Sequence, residues 1–338
     1  MYHVERTLYI LSDKAHIYCD NDRIAIDIDG NKYYFGYDNI ESIIIFTNKT
    51  TLSVYTMRNC AEHKITIHYV SETGKFMGSF IGCENGNVLL RKLQFDMIGT
   101  EKATSYVQNV LAAKLKNSVW LLKTAGHHSA KKDKIKQSCN EILRIRDEMK
   151  NELCLDNLRL MEANAARLYF SVFDDLIKAD DDMKFEKRTY RPALNNFNAL
   201  LSFFYTMITS LCESALCVRG LDSECGYLHT LRSGRHSLAC DLVEEFRAVI
   251  VDRFVLTMVN RKQVTARDFT NDNGKILLSD DARKKLLSLW EDYLNSKTVH
   301  HNLLDKDMSL KVLVYEQAQL LAQFIREDIS EYPPFFAK

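Results

Sequence analysis

The spacing of apolar residues changes period once along this chain, and that change limits its possible folds more than any other feature. Up to about residue 98, apolar positions alternate with a period of two. The segments are Thr7-Leu-Tyr-Ile-Leu, Ala15-His-Ile-Tyr-Cys, Arg23-Ile-Ala-Ile-Asp-Ile, Lys32-Tyr-Tyr-Phe, Ser42-Ile-Ile-Ile-Phe, Thr51-Leu-Ser-Val-Tyr and Lys64-Ile-Thr-Ile-His-Tyr-Val. Alternation places one set of side chains on one face of a strand, so these segments predict seven or more short strands. Turn signals separate them, Asp20-Asn-Asp22 and above all Asp29-Gly-Asn31. Seven of the 12 glycines fall before residue 100, and none lies between His127 and Arg219. Further along, the step becomes three and four: Val107, Val110, Leu111, Leu115, Val119 and Leu122 begin a series of helical stretches that runs to Ile329. Of the three prolines, Pro192 precedes a long helix and Pro333 with Pro334 closes the last one. The expectation is an α+β protein, with a small N-terminal β-domain over residues 1–97 and a larger all-α domain over residues 98–338.

A chain of 338 residues suits about two domains. Its 45 basic residues equal its 45 acidic ones, which excludes a uniformly basic nucleic-acid binder but allows a locally basic groove. Nine scattered cysteines without Cys-x-x-Cys argue against a thiolate zinc cage. Their odd number, behind a start with no apolar leader, predicts reduced thiols in the cytoplasm. The most apolar stretch, Ala199 to Val218, carries Ser, Thr and Glu213 and reads as a buried helix, so no membrane association is expected. Phosphate-loop, dinucleotide-binding, Gly-x-Ser-x-Gly and His-Glu-x-x-His motifs are all absent.

Three constellations could carry chemistry. Asp241 and Glu244 stand three apart on a predicted helix, where neighbouring carboxylates repel unless a cation lies between them. Oxygen ligands suit magnesium or manganese, and His229, in the preceding loop, could add an imidazole. A solvated helix face, with Glu244 paired to Arg247, is the plainer reading of the same residues. Glu162 stands beside the apolar stripe of its own helix, among small alanines, where a partly buried carboxylate needs a cation. A surface arrangement with Arg167 is its plainer reading. From Asn109 to Lys150, ten Lys and Arg, including Lys114, Lys131 and Lys132, face only four acids, a footprint suited to phosphates or to a solvated helix. Arg188, Arg191, Arg232 and Arg235 lie near the carboxylates in sequence and could grip phosphates bidentately.

Taken together these stretches resemble the universal CRISPR-associated integrase family, the first of the CRISPR-associated proteins, which inserts new spacers into the repeat array. The resemblance rests on Glu162-x-x-x-Ala-Arg-x-Tyr-Phe, Arg191-Pro-Ala-Leu through Tyr205, Gly220-Leu-Asp, Gly226-Tyr-Leu-His229, Gly234-Arg-x-Ser-Leu, Asp241-Leu-x-Glu-Glu-Phe-Arg247 and Asn87-Val-Leu-Leu-Arg91-x-x-Gln94. Length and the C-terminal motifs look most like the subtype I-C variety. Asn195, His236 and Ala248 depart from the family pattern, which often has an acid, a proline and a proline there.

The resemblance implies Glu162, His229 and Glu244 as ligands of one magnesium or manganese ion, with Asp241 as accessory acid. It implies joining of protospacer DNA to the repeat by 3′-hydroxyl attack, with cleavage of double-stranded and branched DNA alongside. It further implies a homodimer formed through the β-domains, and a dimer of the small second CRISPR-associated protein bridging two such dimers. A stand-alone structure-specific nuclease and a non-catalytic DNA-binding scaffold are the alternatives.

Overall fold

The computed structural model describes residues 6–10, 12–45, 47–70, 76–82, 88–179, 181–189, 192–272, 274–301 and 303–338. The chain forms two compact units, Met1–Asn87 with Leu287–Glu291, and Val88–Leu286 with Asp292–Lys338.

The first unit contains strands β1 (Arg6–Ile10), β2 (Ala15–Asp20), β3 (Arg23–Ile28), β4 (Asn31–Gly36), β5 (Ile40–Ile45) and β6 (Thr51–Leu52). Helix α1 (Val54–Glu62) and strands β7 (Thr66–Val70) and β8 (Phe76–Phe80) complete it. Two four-stranded sheets result, ordered β1-β5-β7-β8 and β4-β3-β2-β6. Ile17, Ile24 and Ile26 of one sheet and Ile43, Ile45 and Ile67 of the other bury into a single core. The alternation sets which side chains face inward. The expected hairpin turns are present: Asn21 and Asp22 have φ of 47° and 59°, Asp29 and Gly30 of 55° and 85°. Two consecutive positive φ values match the right-handed twist of the strands they join.

One segment departs from its pattern. Thr51-Leu-Ser-Val-Tyr alternates like a strand, but only Thr51 and Leu52 pair, in parallel with β2. The Ser53 hydroxyl accepts the Thr56 N–H at 3.1 Å and starts α1, which leaves Val54 and Tyr55 exposed. A good N-cap outweighs a short β pattern.

The second unit is mostly helical: α2 (Val88–Asp96), α3 (Glu101–Gly126), α4 (Lys132–Met149), α5 (Leu155–Ser171), α6 (Asn196–Val218), α7 (Ser237–Val243), α8 (Arg253–Asn260), α9 (Asp280–Ser296) and α10 (Leu310–Arg326). Helix α2 belongs here, so the units divide ahead of residue 97. Two short hairpins, Phe269–Asp272 with Lys275–Leu278 and Thr298–His301 with Lys306–Ser309, interrupt the helical series. Helix α6 is long and apolar enough to cross a membrane, but 72% of its apolar window is buried inside the protein. Asn195 N-caps α6 by accepting the Asn198 N–H at 2.8 Å, a task an acid at that position would also perform. Between α7 and α8 the backbone loosens into a π-helical segment, Arg247–Asp252. Helix α3 packs on α4, α5, α7 and this segment, while α6 packs on α7, α8, α10 and the same segment. That arrangement brings residues far apart in sequence to one place.

Candidate active site

Glu162 projects from the middle of α5 and Glu244 from the turn that follows α7. Both carboxylates meet one ammonium. Lys114, on α3, donates to Glu162 Oε1 and lies 2.6 Å from Glu244 Oε2. Glu244 is 3% exposed, and the Lys114 side chain 16%. Burial alone would strip the charge from such groups, but the pair sustains it. Desolvation pushes the Glu244 carboxyl up, and Arg247 and Lys114 together more than reverse this, holding it well below the usual range. Desolvation pulls Lys114 down, and Glu244 and Glu162 raise it above its ordinary value. Arg247 Nε stands 2.9 Å from Glu244 Oε1, so the plainer pairing is present as well. Arg167 reaches Asn164 at 3.2 Å.

Asp241 turns the other way. It is fully buried and accepts the backbone N–H groups of Tyr227, Leu228 and His229 at 2.6, 2.9 and 2.9 Å. His229 Nδ1 lies 2.6 Å from the same carboxylate. A carboxylate that already takes three N–H groups makes Nδ1 the donor to it, and Nε2 is the ring nitrogen turned toward Glu244. That Nε2 is 3.9 Å from Glu244 Oε1. The loop is fixed from a second side by Gln94 of α2. Its amide donates to the Asp222 and Cys225 carbonyls at 2.8 and 3.2 Å and accepts the Asp222 N–H at 2.9 Å. Gly226 lets the loop close on α7, because a Cβ there would lie 2.6 Å from the Ser237 carbonyl carbon.

Beside the carboxylates opens a cavity of about 480 Å³, lined among others by Lys114, Glu162, Arg188, Tyr205, Glu244 and Arg247. Asp252, in its wall, accepts the hydroxyls of Tyr169 at 2.7 Å and Tyr205 at 2.5 Å. Burial raises its carboxyl to about 6, against those hydroxyls and Arg247. Arg188 donates to Asn198 Oδ1 at 2.9 Å and Ser202 Oγ at 3.2 Å, and lies over the Tyr205 ring.

The remaining basic candidates scatter. Lys131 binds Asp175 at 2.7 Å, Lys132 is exposed at the start of α4, Arg232 is exposed and Arg235 half-buried. Arg191 and Asn87 lie outside the described residues. Lys114 belongs among the carboxylates, away from the exposed lysines of α4. Two features of the site had no signal in the sequence, Lys114 as shared cation and Asp252 with its two tyrosines, and a third, the Gln94 clamp, had only a faint one. The Gln94 side chain is fully buried, and only its position in the Arg91-x-x-Gln94 motif hinted at a role.

Residues 8–292 match the family model described as CRISPR associated protein Cas1. The chain belongs to the Cas1 family. A Cas1 relative from Rhodospirillum rubrum, named a CRISPR-associated endonuclease, is 36% identical over 98% of each chain. Another from Moorella thermoacetica, named likewise, is 33% identical over 97% of each. The fold superposes on a Cas1 protein from Thermotoga maritima with a TM-score of 0.82 at 22% identity, covering 98% of this chain and all of that one. It also superposes on a casposase bound to integration product, with a TM-score of 0.84 at 18% identity, covering 97% and 93%.

Among the described residues no three His, Cys, Asp or Glu side chains are already drawn together around an ion position. The donor set nevertheless fits a hard divalent cation. Glu162 and Glu244 already share one cation, the Lys114 ammonium, and the His229 imidazole lies 3.9 Å from Glu244, a set of oxygen and nitrogen donors of the kind such an ion takes.

Proposed function

We propose that this chain is a DNA integrase of CRISPR adaptation, a metal-dependent enzyme that joins protospacer DNA to the repeat array by 3′-hydroxyl attack. The observation that carries the reading is the meeting of Glu162, on α5, and Glu244, just past α7, on one largely buried ammonium, with His229 Nε2 3.9 Å from Glu244 Oε1. Glu162, Glu244 and His229 would hold magnesium or manganese there. Such an ion polarises a phosphodiester and favours the ionised hydroxyl.

The chain's own residues supply the rest. Asp241 fixes the tautomer and orientation of His229. Arg247 and Arg188 line the wall where a phosphate would lie and offer it charge-assisted hydrogen bonds. In the exchange a new bond forms between the incoming 3′-oxygen and phosphorus. The bond to the repeat strand's leaving oxygen breaks, the attacking hydroxyl's proton passes to solvent, and the leaving oxygen takes a proton from solvent in turn. One phosphate ester replaces another, so no nucleotide hydrolysis is required, in keeping with a sequence that has no phosphate loop.

Fold neighbours solved as Cas6-RT-Cas1–Cas2 complexes support Cas2 as partner; the assembly proposed is two homodimers, each formed through the β-domains, bridged by a dimer of that small protein. With water in place of the hydroxyl, the same site would cleave DNA, which accords with the relatives' name of endonuclease. Integration of a protospacer into a supercoiled repeat-bearing plasmid tests the reading. Glu162→Ala and Glu244→Ala are expected to lose joining while still binding DNA. Joining by either purified variant removes the assignment, and cleavage without any joining by the wild type favours the stand-alone nuclease.

A further inference from the structure

Lys114 stands where two of the proposed metal ligands converge, and this has consequences for how the site loads. Its ammonium is shared by Glu162 and Glu244, and Arg247 reaches Glu244 from the other side. Two carboxylates are thus already balanced by two monovalent cations. A divalent ion added to that balanced set would confront two positive charges at close range in a place largely screened from water. Arg247 is held in place, its guanidinium 4.5 Å from the Tyr205 ring centroid. Lys114 has a flexible stem and an adjoining cavity of about 480 Å³, whose lining includes Arg188, Ser202 and Thr206.

We infer that Lys114 is a tethered counter-cation, which occupies the place between Glu162 and Glu244 until a divalent ion displaces it, and which then pairs with a phosphate of bound DNA. The inference rests on the metal-site reading above. The displaced ammonium leaves two carboxylates and turns into a cavity where a phosphate oxygen can replace them. Ion and DNA therefore load cooperatively: metal alone strands the Lys114 charge, and DNA gives it a new partner. Coupling between two ligands is reciprocal, so each should tighten the other. A site organised in this way stays charge-balanced, and closed to stray divalent ions, until a nucleic acid arrives.

The test is Mn²⁺ binding to the full chain, followed by electron paramagnetic resonance of the free ion, with and without a branched duplex whose 3′ ends lack the hydroxyl. Wild type should bind Mn²⁺ at least about fivefold more tightly with DNA. Lys114→Met should bind Mn²⁺ more tightly than wild type without DNA and show little further gain with it. Lys114→Gln, which can still hydrogen-bond both carboxylates, guards against misfolding and should behave the same way. Addition of Mn²⁺ should raise the unfolding temperature of either variant more than that of wild type. Glu162→Gln separates the two ideas. If it leaves Mn²⁺ binding intact, the metal-site reading fails. If it abolishes binding while the Lys114 variants bind no more tightly than wild type, or keep the full DNA effect, the counter-cation role alone is overturned.

Discussion

Glu244 and Glu245 are neighbours in the chain and both are buried, 3% and 0% exposed, yet their surroundings are of opposite kinds. Glu244 faces Lys114 and Arg247 and is held ionised, its carboxyl well below the usual range once burial has been outweighed. Glu245 points to the far side, toward α10 and the C-terminal tail, and meets neutral donors only: the Tyr332 hydroxyl at 2.5 Å, the Gln317 amide at 3.0 Å and the Phe335 N–H at 2.8 Å. Burial raises it to about 7, and these three hydrogen bonds limit the rise. Opposite charges keep a carboxylate available for binding a cation, whereas neutral donors make it a structural clasp. Asn117, one turn beyond Lys114 on α3, reinforces the clasp by donating to the Glu245 and Phe335 carbonyls at 2.9 and 3.0 Å. The tail is thus tied to the residue beside Glu244.

The sharpest way to break this contrast is to remove each side chain in turn. Glu244→Ala should lower strand transfer by about a thousandfold or more, since it removes one of the proposed metal ligands. Its folding stability should fall as well, because Arg247 loses its buried counter-charge and Lys114 keeps only Glu162. Glu245→Ala should cost stability without the loss of chemistry. Three buried donors lose their acceptor, a destabilisation of about 3 kcal/mol, while the folded fraction retains joining activity. Urea unfolding and plasmid integration on both variants decide it. Comparable losses of activity at equal folded fraction would mean that Glu245 also serves the chemistry.

The pH dependence of stability sharpens the comparison without removing either residue. A carboxyl whose folded pKa is raised binds its proton more tightly in the folded state. Its contribution is therefore complete below the ordinary value of 4.5 and is lost as pH rises through about 7. For Glu245 that loss is on the order of 3 kcal/mol between those limits. Asp252, raised from 3.8 to about 6, adds a loss over a lower window. Glu244, with its pKa lowered, works in the opposite sense, and its contribution disappears only as pH falls below 4.5. Unfolding measured at pH 5 and pH 7.5 should show a less stable protein at the higher pH. Glu245→Gln, which cannot titrate, should remove most of the difference. An unchanged difference would assign it to another group.

The His229 loop offers a smaller version of the same contrast, since it has one charged anchor and one neutral anchor. Asp241 holds three backbone N–H groups and the imidazole, while Gln94 holds the loop's start through amide hydrogen bonds. Asp241→Asn should lower joining by about 10- to 100-fold through loss of the His229 tautomer. Gln94→Ala should lower it by about tenfold or less, because the imidazole keeps its own partner. Mn²⁺ affinity should follow the same order. If the two variants are equally impaired, loop position matters more than the tautomer.

Those anchors mark the limit of what the chain discloses. Strand and helix periods were legible because a half-buried surface imposes them on every turn, and the turn residues at Asp29-Gly30 allowed few alternatives. Glu162, His229 and Glu244 were singled out by the family resemblance, and the structure brings Glu162 and Glu244 to Lys114 with His229 3.9 Å from Glu244. Glu245 was not legible, because its character depends on Tyr332 and Gln317, which arrive from more than a helix away. Lys114 was counted as surface charge for the same reason: its partners lie in α5 and past α7, and no local pattern announces them. The hairpins within the helical unit are only four residues per strand, too short for alternation to stand out.

The basic stretch from Asn109 to Lys150 gives the smallest predicted effect, and its reasoning depends on the same distant partners. Lys114 is neutralised by Glu162 and Glu244, Lys131 and Lys134 by Asp175. Arg144 pairs with Glu141 and Glu148, and Asp147 takes both Arg146 and Lys150. The excess of positive charge read from composition is therefore largely satisfied inside the protein. Lys132 and Lys136 are exposed on α4, and among the described residues no ion pair involves them. Only such lysines can exchange counterions for DNA phosphates without first breaking an ion pair. Lys132→Ala with Lys136→Ala should flatten the dependence of log affinity on log salt by about 0.9 for each phosphate that is no longer neutralised. Lys131→Ala should leave the slope unchanged, since Asp175 already holds that charge and Lys134 remains beside it. A wild-type slope for both variants would remove α4 from the DNA path, and a larger change from Lys131 would mean that DNA displaces Asp175.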